Sequence, residues 1–238
     1  MRVLKILMLT ILLFSFSPFQ AFADKSDDTL VIAFSREITN LDYHYGTKTE
    51  YLILGDMIDD SLFYVENENL TYAPSLASDF NVVDDVTLDV NLRQGVKFHD
   101  GSEMTSDDVV YTYNFIVTND KNRRHKKLAS WLKSIEKTGK YSVRFNLNSP
   151  YANLFNDLYR IKIRKNGIMG TDGNWDDNAQ ATSLNGLGPY KVISFDPGVE
   201  VVLERNERYF GGPKGNPAIK NLIIRSIPDM GTQQAELM

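Results

Sequence analysis

A histidine and a carboxylate stand side by side at His99-Asp100, and this pair is the first place where the chain could carry acid–base chemistry. No nucleophile or third orienting group is attached to it, so a turn is the better reading: Asp100 can bond its own backbone and Gly101 can take a positive φ. The other histidines, His44 and His125, are far away in sequence and lack Cys or His-Glu-x-x-His spacing. No metal site and no cofactor is therefore expected. Gly211-Gly212-Pro213-Lys214-Gly215 has the wrong spacing for a phosphate loop, and no Gly-x-Ser-x-Gly elbow occurs. The basic run Lys121-Asn122-Arg123-Arg124-His125-Lys126-Lys127 could face a polyanion or a membrane, but its flanks are not basic and the chain is acidic. A solvated face is expected instead, with no nucleic-acid partner.

The elements that position His99-Asp100 are legible on either side. Val86, Leu88, Val90 and Leu92 alternate with Thr87, Asp89, Asn91 and Arg93, the period of a strand with one buried face. After the turn, Thr105 and Asp108 have the spacing of a capped helix start, and Val109, Tyr113 and Ile116 continue it as an apolar stripe. Upstream, Thr29–Phe34 reads as a buried strand that runs into the polar loop Ser35–Tyr43, where binding groups are often displayed. Glu50–Asp60 reads as an amphipathic helix continuing into Leu62-Phe63-Tyr64, and Phe80–Val83 as the first arm of a hairpin turning at Asp84-Asp85. Downstream, hairpins are expected over Leu132–Leu147 and Tyr190–Glu204, a short helix at Leu154–Leu158, and a buried strand over Ile219–Ile227. Lys162–Asn185 is the least structured stretch by composition, with Trp175 as its anchor.

The first 23 residues begin with Arg2 and Lys5, pass through the apolar run Ile6–Phe16 and end Ala21-Phe22-Ala23. This is the pattern of a secretory signal peptide cleaved after Ala23, and its apolar core is shorter than the roughly 20 residues that span a bilayer. The remaining 215 residues hold 24 basic and 31 acidic side chains, a formal net charge of −7. There is no cysteine, hence neither a disulfide nor a lipid-modified cysteine anchor, and a free, monomeric periplasmic protein is expected.

Four ordered blocks carry a resemblance. They are Leu92–Asp107, Tyr72–Ala77, Gly186-Leu187-Gly188-Pro189-Tyr190 and Asn206-Glu207-Arg208-Tyr209-Phe210. Together they resemble the oligopeptide and dipeptide solute-binding proteins of bacterial ABC importers, the family 5 extracellular solute-binding proteins. Tyr43 stands where the family has a proline and Leu187 where it has a threonine. The resemblance implies an α/β, class II-type periplasmic binding protein fold of two lobes. Residues 24–228 would be lobe I, with mixed sheets and a hairpin-rich subdomain at about 50–160, and residues 229–238 would start the hinge into the second lobe. It implies a substrate-binding component, not an enzyme, that holds di- to oligopeptides between the lobes and delivers them to the permease subunits in the membrane. Ser35, Arg36, Glu37 and Tyr45 would line the cleft, with Gly188, Pro189 and Tyr190 near the crossing. Because only about the first half of a family member is covered, the chain is expected to be truncated and to bind poorly alone. The alternatives are the same fold binding a nickel complex, haem or a sugar, and a secreted hydrolase.

Overall fold

The computed structural model describes residues 28–44, 49–66, 68–118, 123–168, 184–229 and 231–232. The leader, Tyr45 and Trp175 lie outside the described residues. In chain order the elements are β1 (Thr29–Phe34), α1 (Thr49–Ile58), β2 (Phe63–Val65), β3 (Tyr72–Pro74), β4 (Ala77–Asp84), β5 (Thr87–Leu92), α2 (Ser106–Thr118), α3 (Arg123–Leu128), β6 (Leu132–Gly139), β7 (Ser142–Leu147), α4 (Leu154–Arg160), β8 (Tyr190–Asp196), β9 (Glu200–Arg205) and β10 (Asn221–Ser226). The expected hairpins are present as β4–β5, β6–β7 and β8–β9.

These strands make two four-stranded sheets, β1-β10-β9-β8 and β4-β5-β7-β6, and the small pair β2-β3. The first sheet packs on α1 through Tyr51, Leu54, Ile58, Val201, Leu203, Leu222 and Ile224. The second packs on α2 and α4, and its core includes Leu88, Val90, Leu92, Tyr113, Phe145 and Leu158. The alternation read in residues 86–92 follows from this, since every second side chain of β5 enters that core. The start of α2 is capped as its spacing predicts: the Asp107 amide donates to Thr105 Oγ1 at 3.3 Å and the Thr105 amide to Asp108 Oδ2 at 2.7 Å.

Three expectations are corrected. Thr29–Phe34 is a strand but not a buried one: Leu30 and Val31 are 41% and 42% exposed, because among the described strands β1 is the edge of its sheet and, of its side chains, Ile32 and Phe34 pack on the core. The helix read into Leu62-Phe63-Tyr64 stops at Ile58, since Asp59 and Asp60 are drawn into buried bonds and Phe63–Val65 pairs with Tyr72–Pro74. Lys162, Ile163 and Arg164, expected within an irregular stretch, are buried and ordered, and the Ile163 amide donates to the Asp60 carbonyl at 2.9 Å.

Gly186 and Gly188 seat the segment before β8 against the end of α1 by close approach. A Cβ at Gly188 would lie 2.5 Å from the Ile58 carbonyl carbon, and one at Gly186 would lie 2.0 Å from the Ile58 oxygen. The Gly188 amide donates to that oxygen at 2.9 Å, a contact only glycine permits. Gly188→Ala is expected to lower the urea-unfolding free energy by about 1–3 kcal/mol, the usual penalty of forcing atoms into a packed interior. Gly215→Ala, at a position with no atom within 4 Å of the added Cβ, controls for backbone strain alone.

Candidate functional site

The chain's parallel strand pair places the candidate site. β1 and β10 run side by side, so their carboxyl ends, Phe34 and Ser226, come out together. In open α/β sheets this is the edge at which ligands are bound. Ser35, Arg36 and Glu37 leave β1 there and are exposed. The Ile227 amide donates to the Phe34 carbonyl at 2.8 Å, the Ile38 amide donates to Ser226 Oγ at 3.2 Å, and the Gly198 amide donates to the Ile38 carbonyl at 2.8 Å. These bonds hold the three exposed residues as a short rigid lip. Across from them, Glu50 in the first turn of α1 lies 3.9 Å from Arg36 Nε. Arg36 has 64% of its side chain exposed, so this pair contributes little stability and leaves the guanidinium free to meet a ligand.

Beyond the lip the loop turns inward, which its polar composition did not announce. Ile38, Leu41, Asp42, Tyr43 and His44 are buried. The Asp42 carboxylate accepts from Arg164 Nη2 at 3.0 Å and from the His44 amide at 2.8 Å, and Arg164 Nη1 also donates to Asp59. Burial pushes the Asp59 carboxyl up, and the Arg164 charge opposes that rise. Beside this group Lys162 Nζ meets Asp56 at 2.5 Å, between the rings of Tyr159 and Tyr43 at 5.3 and 6.0 Å. Lys214 Nζ reaches Asp60 at 3.1 Å and donates to the Asp56 and Asp59 carbonyls, and Tyr209 donates to Asp60 at 2.8 Å. The network ties the loop behind the lip to α1, to the segment after α4 and to the loop before β10.

His99 is a strut in this frame. Its amide donates to the Gly186 carbonyl, its Nδ1 accepts from the Gly186 amide at 3.2 Å, and its Nε2, carrying the proton, donates to the Gly188 carbonyl at 3.1 Å. Both ring nitrogens are engaged by backbone, so the ring is not presented to a substrate. Asp100 accepts from Ser102 and from Lys165 Nζ at 2.6 Å; burial opposes ionisation, but those donors hold the carboxyl well below the usual range. The turn reading of His99-Asp100 is the one the geometry supports.

Of the residues expected to meet ligand, Ser35, Arg36 and Glu37 form the lip, and Tyr45 lies outside the described residues. Gly188, Pro189 and Tyr190 are buried with their polar groups turned inward. The Gly188 carbonyl accepts from His99 and Asn206, the Pro189 carbonyl accepts from the Asn206 amide, and the Tyr190 hydroxyl donates to the Ile219 carbonyl at 2.9 Å. They position the strands and offer no side-chain group to solvent. The buried charges were missed in the sequence, although Lys162 and Arg164 alternate with Ile161 and Ile163 in a strand-like way. Their partners are more than 100 residues away, beyond any local pattern. Among the described residues no three His, Asp or Glu side chains are grouped to hold a metal. No described helix is long and apolar enough to cross a membrane.

Residues 71–238 match the family model described as bacterial extracellular solute-binding proteins, family 5 Middle. The oligopeptide-binding protein AppA of Bacillus subtilis is 31% identical over 208 residues, 85% of this chain and 35% of its own length. Its solved structure with a nonapeptide is similar with a TM-score of 0.77 at 29% identity, over 88% of this chain and 42% of that one. NikZ from Campylobacter jejuni, solved with Ni(L-His), is similar with a TM-score of 0.71 at 25% identity, over 89% of this chain and 41% of that one. The chain thus spans roughly a third to two fifths of the length of these relatives.

Two expected outcomes follow from the buried groups. Arg164→Met strands the Asp42 and Asp59 carboxylates and is expected to cost about 3–5 kcal/mol in urea unfolding, part of it recovered in the triple variant with Asp42→Asn and Asp59→Asn. His44 is held neutral by burial and by Arg164, and His99 by burial, so both have lowered pKa values. The unfolded chain then binds more protons below about pH 6.5, and stability falls as pH drops from 7.5 to 5.5, by up to about 1.4 kcal/mol per unit for each histidine. His44→Gln is expected to flatten that slope.

Proposed function

The chain belongs to the family 5 bacterial extracellular solute-binding proteins, and on that premise we propose that it supplies the first-lobe wall of a periplasmic peptide receptor serving an ABC importer. The observation that carries this reading is the lip Ser35-Arg36-Glu37, exposed at the carboxyl ends of the parallel strands and anchored from behind by the Arg164 network. An extended peptide between two lobes is gripped chiefly through its backbone, as an added strand is, and needs such a rigid edge with a few charged groups to set its register. Arg36 suits a peptide carboxylate or carbonyl, and Glu37 suits a donor on the same ligand. Gly188, Pro189 and Tyr190 act at one remove, holding the segment that enters β8 against the end of α1 and the His99 turn. The similarity to AppA, named for oligopeptide binding and solved with a nonapeptide, supports peptides as the ligand class. Export through a leader cleaved after Ala23, a monomeric state and delivery to permease subunits complete the proposal.

A nickel complex is the second reading, favoured by the match to a protein solved with Ni(L-His). Titration calorimetry on the full-length gene product separates the two. Binding of di- to nonapeptides at micromolar Kd or tighter is expected, weakened about ten-fold, near 1.4 kcal/mol, by Arg36→Ala or Glu37→Ala. Silence across the peptide library with heat from nickel–histidine would favour the second reading and overturn the first.

A further inference from the structure

Away from the lip, a groove of about 440 Å³ runs between the β4–β5 hairpin and the start of α4. Val82, Leu147, Pro150, Leu154 and Phe155 give it an apolar floor, while Asp84 and Asp85 stand at its mouth. Its volume lies in the range of pockets that take small ligands or single side chains with their neighbours. No function described above uses it.

Three observations say what would fill it. First, β4 is the edge of its sheet, hydrogen-bonded to β5 on one side only among the described strands. Register shifts at Ala77/Asp79 and Val82/Asp84 bracket a short regular stretch whose outer backbone groups face away from β5. Second, Phe80, Val82 and Val83 on this edge are 36%, 56% and 48% exposed, and Phe80 packs edge-to-face on Phe63 and tilted against Phe155, with ring centroids at 5.3 and 5.0 Å, so the apolar patch is preformed by packing. Third, the mouth is negative. Asp84 accepts from the Val86 amide through one oxygen only, Asp85 is exposed, and Arg144, the cation near Asp84, is engaged by both oxygens of Asp89.

An edge strand gives backbone pairing, an adjacent apolar groove takes alternate side chains, and an acidic mouth selects a cation. We infer that this groove docks an extended peptide segment that carries a large apolar side chain beside a lysine or arginine. A second copy of this chain fits worse, since it would bring another acidic hairpin to an already acidic mouth.

The probe is a pentapeptide, Lys-Val-Phe-Val-Lys, acetylated and amidated so that it has no terminal charges for the lip to grip. Its control is the analogue with glutamate at both lysine positions. Amide NMR titration of the protein is expected to show shifts at Phe80–Asp85 and Tyr151–Phe155 with the lysine peptide and not with the glutamate one. Val82→Lys, at an exposed position, is expected to weaken binding at least ten-fold. The double variant Asp84→Asn, Asp85→Asn, which leaves the apolar floor intact, is expected to weaken it several-fold and remove its salt dependence. Absence of shifts at millimolar peptide, equal response to the two peptides, or shifts confined to Ser35–Glu37 would each overturn the inference. Neither groove variant touches the lip, so binding of uncapped peptides there is read independently.

Discussion

Arg164 is the side chain on which the rest of the structure depends. It is fully buried between Asp59 at the end of α1 and Asp42 behind the lip, and its backbone is bonded to Thr112 of α2. A guanidinium cannot lose its proton and offers donors in a rigid fork, so it holds two carboxylates at set angles where an ammonium could not. The network is no free source of stability, because desolvating these charges costs about as much as their attraction returns. Its contribution is to geometry. The two sheets and the loop between β1 and α1 can pack in one arrangement that pairs all of these charges, and other arrangements strand one.

The candidate site inherits that rigidity. Ser35, Arg36 and Glu37 are short of stabilising contacts of their own, yet both flanks are pinned: Phe34 and Ile38 by backbone and Ser226, and Asp42 and His44 by Arg164 and the Lys162 carbonyl. A wall that does not rearrange spares a ligand the ordering cost of making it. The same economy is absent at β4, where exposed apolar side chains border an open groove, and there the surface is built to be covered.

Much of the architecture was legible locally. The alternation of residues 86–92 and the Thr105–Asp108 cap depend on neighbours within a few residues and lie where their patterns do, while the turn expected at Asp84-Asp85 falls one residue later, at Asp85-Val86, because Asp84 still pairs with Thr87. Burial was less legible. Thr29–Phe34 reads as buried because it is apolar, but whether a strand is central or at an edge is settled by what pairs beside it. The helix end at Ile58 was missed for a related reason, as Asp59 and Asp60 leave the helix to meet Arg164, Lys214 and Tyr209 from distant segments.

The candidate site divides along the same line. By itself the sequence determined the family, the order of strands and helices, and the exposed charged lip after the first strand, since these rest on periodicity, turn chemistry and motifs in short windows. Only the tertiary structure decided that His99 is a strut between two glycine carbonyls, that Gly188, Pro189 and Tyr190 face inward, and that Lys162 and Arg164 are buried. For His99, Lys162 and Arg164 the outcome hangs on pairings more than 80 residues apart, and for Gly188, Pro189 and Tyr190 on bonds to Asn206 and Ile219 in later segments; the energy of a buried charge is set by the partner it meets rather than by its neighbours in the chain.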